Sequence, residues 1–252
     1  MKTHFQIKEE VKEKYTEIAR GNIEVIKKTS KSCCRRKNDV VDISLSYSSA
    51  DKASIPDGAD LGLGCGTPTS FANIKEGMTV LDLGSGAGID CFIAAKHVGA
   101  RGKVIGVDMT EEMIRKANAN KAKANAANVE FRFGEIESLP VDSDTVDRVI
   151  SNCVINLVPD KNKAYSEIHR VLKTGGMFTV SDIVTDGKIS EEERRDASLW
   201  AGCVSGALDK KDYLGIIENA GFKEIIVTSE TKNDYQLSSG GGLYSITVTG
   251  TR

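Results

Sequence analysis

Apolar residues recur along this chain with two different periods, and the places where one gives way to the other mark its elements. Near the N-terminus Ile7, Val11, Tyr15, Ile18, Ile23 and Ile26 stand at helical spacing among lysines and glutamates. They predict one or two amphipathic helices over the first 28 residues, broken at Gly21. Residues 47–70 are rich in Gly, Asp, Ser and Pro and read as an irregular segment, and one this long is usually functional. Beyond it, short apolar runs at 79–83, 103–108, 129–133, 146–153 and 177–182 read as buried strands, with two final strands at 225–227 and 244–248 joined by a loose connection at 238–242. Helical patterns fall between them: from Ile89 through Phe92 and Ile93, over 111–126 with Met113, Ile114, Ala117 and Ala124 inward, over 161–172, and over 210–220 before Gly221. A further helix starts at the cap Ser190 and runs toward Leu208, placing Trp200 and Cys203 on one face.

This alternation predicts an α/β fold, a doubly wound, mostly parallel seven-stranded sheet of the Rossmann-like kind with an N-terminal helical extension. No internal repeat and no second folded domain is visible. Residues 1–46 read as a helical arm that ends in a cysteine pair, and 47–252 as the main domain.

Where the first strand ends, the chain runs Asp82-Leu83-Gly84-Ser85-Gly86-Ala87-Gly88 and passes directly into a helix. Such a turn lets backbone amides approach a ligand, and the helix N-terminus behind it favours oxygen-rich groups. Twenty residues on, the second strand ends in Asp108, where a carboxylate accepts hydrogen bonds from both hydroxyls of a ribose. Two ligands suit that pattern, a nicotinamide dinucleotide and S-adenosylmethionine. The dinucleotide fingerprint needs glycine at position 89, which is Ile89. Asp82 would repel a pyrophosphate and attract the ammonium of a methionine moiety. The turn therefore looks like the S-adenosylmethionine motif of class I methyltransferases, with Asp82, Gly84, Ser85, Gly86, Gly88, Asp108 and Met109 as candidate contacts. In such an enzyme the loop after the third strand holds adenine, so Glu135 and Ile136 join the candidates, and Asn152 at the end of the fourth strand completes them.

Composition narrows the partners. With 34 basic and 36 acidic residues the formal charge is −2, no global field to gather nucleic acid or a membrane surface. The first ten residues lack an apolar signal core, and no run approaches the ~18 apolar residues of a membrane helix. A cytoplasmic protein is expected, and its six cysteines then read as catalytic, ligand-binding or buried rather than as permanent disulfides. Cys33 and Cys34 are flanked by four cations, which favours thiolate, although a chance pair in a basic loop reads equally well. Cys65 lies between Gly64 and Gly66, a context that predicts backbone freedom and open access. Cys153 ends the fourth strand beside the ligand crevice, where most methyltransferases acting on oxygen or nitrogen need a base or an amide. Cys91, among Ile89, Phe92 and Ile93, reads as a core residue.

Together, Leu61-Gly62-Leu63-Gly64-Cys65-Gly66, Ser151-Asn152-Cys153-Val154-Ile155-Asn156-Leu157 and Gly202-Cys203-Val204-Ser205-Gly206-Ala207-Leu208, joined to the glycine turn, resemble the arsenite methyltransferases. The match covers roughly residues 47–208 and includes an arsenic-binding insertion around 186–210. It implies that Cys153 and Cys203 bind trivalent arsenic, that Cys65 belongs to the same site, and that Cys65 and a thiol near the N-terminus, Cys33 or Cys34, take part in thiol–disulfide turnover. Longer family members carry an extended C-terminal region that this sequence lacks. The implied partners are arsenite or its thiol conjugate and a thiol reductant such as glutathione or thioredoxin. The chemistry agrees: trivalent arsenic is thiophilic, and its lone pair can attack a sulfonium methyl without a general base. Two alternatives stand beside this reading. One is methylation of a small carbon, oxygen or nitrogen nucleophile. The other is a non-catalytic thiolate module for a metalloid or zinc, which zinc suits poorly because there is no Cys-x-x-Cys and His4, His97 and His169 have no motif spacing.

Overall fold

The computed structural model describes residues 3–23, 47–195, 203–238 and 240–252, so the expectations for Cys33, Cys34 and Trp200 lie outside the described residues. Helix α1 (His4–Arg20) opens with a capping box, Thr3 accepting from the Gln6 amide and Gln6 from the Thr3 amide, and ends at Gly21 with φ +79°. Two single turns, α2 (Ser49–Lys52) and α3 (Pro68–Phe71), interrupt the segment expected to be irregular. Then follow β1 (Thr79–Leu83), α4 (Ile89–Val98), β2 (Lys103–Asp108), α5 (Glu111–Ala124), β3 (Val129–Phe133), β4 (Val146–Asn152) and α6 (Lys161–Val171). The chain closes with β5 (Leu172–Asp186), α7 (Glu191–Arg195), α8 (Lys210–Asn219), β6 (Lys223–Gln236) and β7 (Gly242–Thr251).

The seven strands form one sheet in the order β3-β2-β1-β4-β5-β7-β6, with β7 antiparallel to both its neighbours and the other pairings parallel. Strand order reverses between β1 and β4, so their C-terminal ends leave the crevice in which open α/β sheets bind ligands. One face buries Leu81, Val149 and Phe178 against Tyr165 and Ile168 of α6 and Tyr213 and Ile217 of α8, and the other buries Val80, Val104 and Ile150 under Cys91, Ala94 and Val98 of α4. Each valine, leucine, isoleucine or phenylalanine among them contributes roughly 1.5–3 kcal/mol of transfer free energy. Helix α1 lies across the crevice end: Ile18 and Ala19 pack on Met113 of α5, and Val11 joins an apolar cluster that contains three cysteines.

Three expectations change. Strand β5 continues to Asp186, because its partner β7 is long enough to pair it throughout, and this puts Asp182 inside the strand rather than at its end. Helix α5 stops at Ala124, which faces solvent, and Asn120 takes the inward position by donating to the Ala87 carbonyl at 3.0 Å. Ser190 does cap a helix, with Glu193 reaching back to its amide, but Cys203 is in a turn at φ +60° and not on that helix. Residues 203–209, which include Gly206, make local turns there in place of a helical ladder.

Candidate active site

Gly84, Gly86 and Gly88 all have positive φ, +64°, +51° and +99°. A Cβ at Gly84 would stand 2.5 Å from the Val154 methyls, and one at Gly88 2.8 Å from the rings of Phe131 and Phe92, so these two glycines serve close packing. Gly86 meets nothing within 4 Å and lines a cavity of about 310 Å³ at the strand ends. Its amide donates to Asp108 at 3.0 Å, and the Thr110 amide donates to the other Asp108 oxygen at 2.8 Å. The cavity wall also includes Asp82, Met109, Ile136, Asn152 and Cys153.

Whether S-adenosylmethionine suits this cavity is a question of charge and of unpartnered polar atoms. Burial pushes the Asp108 and Asp82 carboxyls up, Asp82 further through the neighbouring Asp90 and Asp108, and burial raises Asp90 to about 6. Three carboxyls facing one another are relieved by a cationic ligand, and S-adenosylmethionine carries a sulfonium and an ammonium beside its ribose diol. Ser85 Oγ and Asp90 Oδ1 are buried without a protein partner. The residues therefore fit the cofactor. Asp90 and Tyr47 are additions to the predicted set: the Tyr47 hydroxyl donates to Asp90 at 3.1 Å, and both residues line the cavity. An acid in the otherwise apolar first turn of α4 is the sequence signal that would have found Asp90. In the loop after β3 Ile136 is buried, whereas the Glu135 carboxylate is half exposed and pairs with Lys8 of α1 at 2.6 Å, together with Glu137. Cys91 is a core residue as expected, and its thiol donates to Asp82 at 3.2 Å.

Cys65, Cys153 and Cys203 share the apolar cluster that Val11, Leu157, Ile183 and Ile189 complete. The Ser181 carbonyl accepts from the Cys65 thiol at 3.4 Å and from the Cys153 amide at 2.7 Å, and the Cys203 thiol donates to the Cys153 carbonyl at 3.0 Å. Asn156 donates to the Ile183 carbonyl at 2.6 Å and the Cys203 carbonyl at 3.3 Å, tying the 203 turn to β5. Cys153 and Cys203 both adopt φ +60°, a strained setting for non-glycine residues that costs on the order of 1–3 kcal/mol and clusters at functional sites.

The open access expected of Cys65 is not found: it is 1% exposed. A Cβ at Gly64 would lie 2.8 Å from Asn152 Nδ2 and one at Gly66 2.3 Å from Ser181 Cβ, so the flanking glycines let the loop press against β4 and β5. Burial pushes the Cys65 thiol up to about 11. Contact with Cys153, then burial, pushes Cys203 up. Cys203 pulls Cys153 down, but contact with Cys65 and burial outweigh it, and Cys153 too is raised. All three are neutral thiols at pH 7, suited to a ligand whose own hydroxides take up their protons.

Beneath the thiols lies a polar network absent from the sequence reading. Asp182 is fully buried and accepts from the Ile183 amide at 3.1 Å and the Tyr213 hydroxyl at 3.2 Å, and Tyr165 donates on to Tyr213 at 2.8 Å. Burial raises Asp182 to about 7, with Lys161 opposing, and lowers Lys161 to about 8. The signal is an acid inside the apolar run Val180-Ser181-Asp182-Ile183-Val184, obscured because an acid there reads equally as the end of the strand.

A doubly wound sheet of this strand order, with a glycine turn after β1 and a carboxylate ending β2, defines a class I methyltransferase domain that uses S-adenosylmethionine. The family model "Methyltransferase domain" matches residues 74–221. An arsenite methyltransferase of Halobacterium salinarum is 42% identical over 97% of this chain and 66% of its own length, and that of Homo sapiens is 40% identical over 58% of this chain and 42% of its own. The crystal structure of an arsenic(III) S-adenosylmethionine methyltransferase from Chlamydomonas reinhardtii superposes with a TM-score of 0.69 at 33% identity, covering 82% of this chain and 71% of that one. The chain belongs to the methyltransferase domain family, and within it to the arsenite methyltransferases. It spans between 42% and 66% of the length of these curated relatives.

Proposed function

We propose that this protein methylates trivalent arsenic held by its own cysteines. The observation that carries the reading is the double position of Cys153, which lines the cofactor cavity and also belongs to the buried three-thiol cluster. When bound, S-adenosylmethionine supplies an electrophilic methyl group on a sulfonium. The chain's part begins with thiol exchange: arsenous acid and three thiols give the tris-thiol adduct and three waters, so neutral buried cysteines are the proper reactants. Cys65, Cys153 and Cys203 then hold arsenic with its lone pair toward the cavity, and the apolar surroundings exclude water, so positioning is the main task. Asp82, Gly84, Ser85, Gly86, Gly88, Asp108, Met109, Glu135, Ile136 and Asn152 serve the cofactor side.

Attack by the lone pair formally takes arsenic from the trivalent to the pentavalent state, and two thiols closing a disulfide return the two electrons. Cys65 and the arm cysteines Cys33 and Cys34 fill that role in this reading, with a small thiol or thioredoxin-type reductant reopening the disulfide. The four described free cysteines, Cys65, Cys91, Cys153 and Cys203, suit a reducing cytoplasm. Among the described residues no helix is long and apolar enough to cross a membrane.

Incubation with arsenite, S-adenosylmethionine and glutathione, followed by mass-spectrometric speciation, should yield methylated arsenic. Cys153→Ser and Cys203→Ser should each abolish it while calorimetry shows nearly unchanged cofactor affinity. Retained activity in either variant would sink the thiol-site reading.

A further inference from the structure

We propose that Cys65, Cys153 and Asp182 form a binding site for a soft divalent cation of the zinc group, overlapping the arsenite site but using a different set of donors. The two Sγ atoms and a carboxylate oxygen of Asp182 lie within 4.8 Å of one another, and all three side chains are buried. They come from separate elements: the loop before α3, the residue after β4 and the middle of β5. The absence of a Cys-x-x-Cys or a histidine motif therefore does not bear on this site, because the sheet topology assembles it.

The carboxylate is what distinguishes the two ligands. Trivalent arsenic is satisfied by three sulfurs, which Cys65, Cys153 and Cys203 supply, and gains little from a hard oxygen. Two sulfurs with one oxygen make a mixed set that Zn²⁺ and Cd²⁺ accept, with water left for a fourth position. Asp182 is oriented as a ligating carboxylate must be, by the Ile183 and Asn156 amides and the Tyr213 hydroxyl. Three donors on about four lone-pair sites leave one for a cation. Two thiolates, one carboxylate and a divalent cation sum to −1, and the buried Lys161 ammonium, held by the Asn156 and Val158 carbonyls at 3.2 and 3.0 Å, stands close enough to Asp182 to offset that charge.

The two ligands also differ in protons. A divalent cation displaces one proton from each of two thiols and releases both to solvent, with no change of oxidation state. Arsenous acid releases none, because its three hydroxides leave as water. The cation occupies two of the three sulfurs that arsenic needs, so the two ligands exclude each other. The site stands even if arsenite is not the substrate, since its test can use the metal alone.

The test titrates the reduced, ligand-free full chain with Cd²⁺ at pH 8, by calorimetry in two buffers of different protonation enthalpy. One Cd²⁺ per chain is expected, with net release of protons. Asp182→Asn should weaken Cd²⁺ at least tenfold and leave arsenite binding within about twofold, whereas Cys203→Ser should weaken arsenite at least tenfold and largely spare Cd²⁺. ¹¹³Cd resonance of the unmodified protein reads the donors directly, so the outcome does not depend on how well Asp182→Asn folds. A shift typical of mixed sulfur and oxygen donors supports the site. An all-sulfur shift, or Cd²⁺ affinity unchanged in a folded Asp182→Asn, overturns it.

Discussion

The side-chain oxygen of Asn152 accepts hydrogen bonds from the amides of Cys65 and Gly66, at 2.9 and 3.1 Å, so the last residue of β4 holds the loop that carries one thiol while preceding the residue that carries another. Its amide nitrogen reaches the Gly66 carbonyl at 2.9 Å and Asp90 at 3.1 Å, which links the thiol loop to the cofactor cavity. Asn152→Ala removes these bonds, at ~0.5–1.5 kcal/mol each, and frees the loop. The expected result is at least a tenfold faster alkylation of Cys65 by a small electrophile, followed by peptide mass spectrometry, with a comparable fall in methyl transfer. Alkylation at the unmodified rate would mean that packing alone seats the loop.

Asp108 ends β2 with both oxygens already engaged, one by the Gly86 amide and one by the Thr110 amide. Asp108→Ala therefore removes the proposed acceptor of the ribose hydroxyls and also the two backbone bonds that hold the glycine turn. With two charge-assisted bonds at ~1.5–3 kcal/mol each, S-adenosylmethionine affinity should fall by at least a hundredfold in calorimetry. Unchanged affinity would count against the cofactor assignment.

Much of this was legible in the residues themselves, because strand and turn signals are local. The apolar run into Gly84-Ser85-Gly86 and the acid-ended run to Asp108 place these residues at the strand-end cavity without any long-range information. The cysteines were legible as residues but not as surroundings. Cys65 reads as accessible between glycines, yet those glycines exist so that Ser181 and Asn152, each more than eighty positions away in sequence, can approach closely. Asp182 was missed for a related reason: strand length is set by the partner β7, which no local pattern in β5 reveals.

Cofactor affinity should depend on pH in a direction that the buried acids fix. Burial holds Asp90 at about 6 and raises Asp82 further with the help of its acidic neighbours, so both retain protons in the ligand-free protein well above the ordinary carboxylate range. A cationic ligand favours the ionised forms and must expel those protons at low pH. S-adenosylmethionine should therefore bind more tightly at pH 7.5 than at pH 5, with proton release on binding near pH 6. Asp90→Asn should flatten the profile. Affinity independent of pH over this range would show that the ligand's charges do not face these carboxyls.

The last prediction concerns the contact between Gly66 and Ser181. A Cβ built on Gly66 falls 2.3 Å from both Cβ and Oγ of Ser181, in the middle of β5, and 3.4 Å from Thr247 Oγ1 on β7. Ser181 cannot swing aside freely, because its hydroxyl is bonded to Thr247 at 2.9 Å and its residue is fully buried. Gly66→Ala must then push the loop off the sheet, and overpacking of this kind costs ~1–3 kcal/mol. The loop carries Cys65, so the displacement also opens the three-thiol cluster: arsenite binding should weaken more than tenfold while S-adenosylmethionine affinity changes little. Removing the obstacle should reverse the effect, and the double variant Gly66→Ala with Ser181→Gly should recover arsenite affinity even though it forfeits the hydroxyl bond to Thr247. Calorimetry with arsenite on the two single variants and the double one decides the point. If Ser181→Gly brings no recovery, the contact with Ser181 is not what excludes a side chain at position 66.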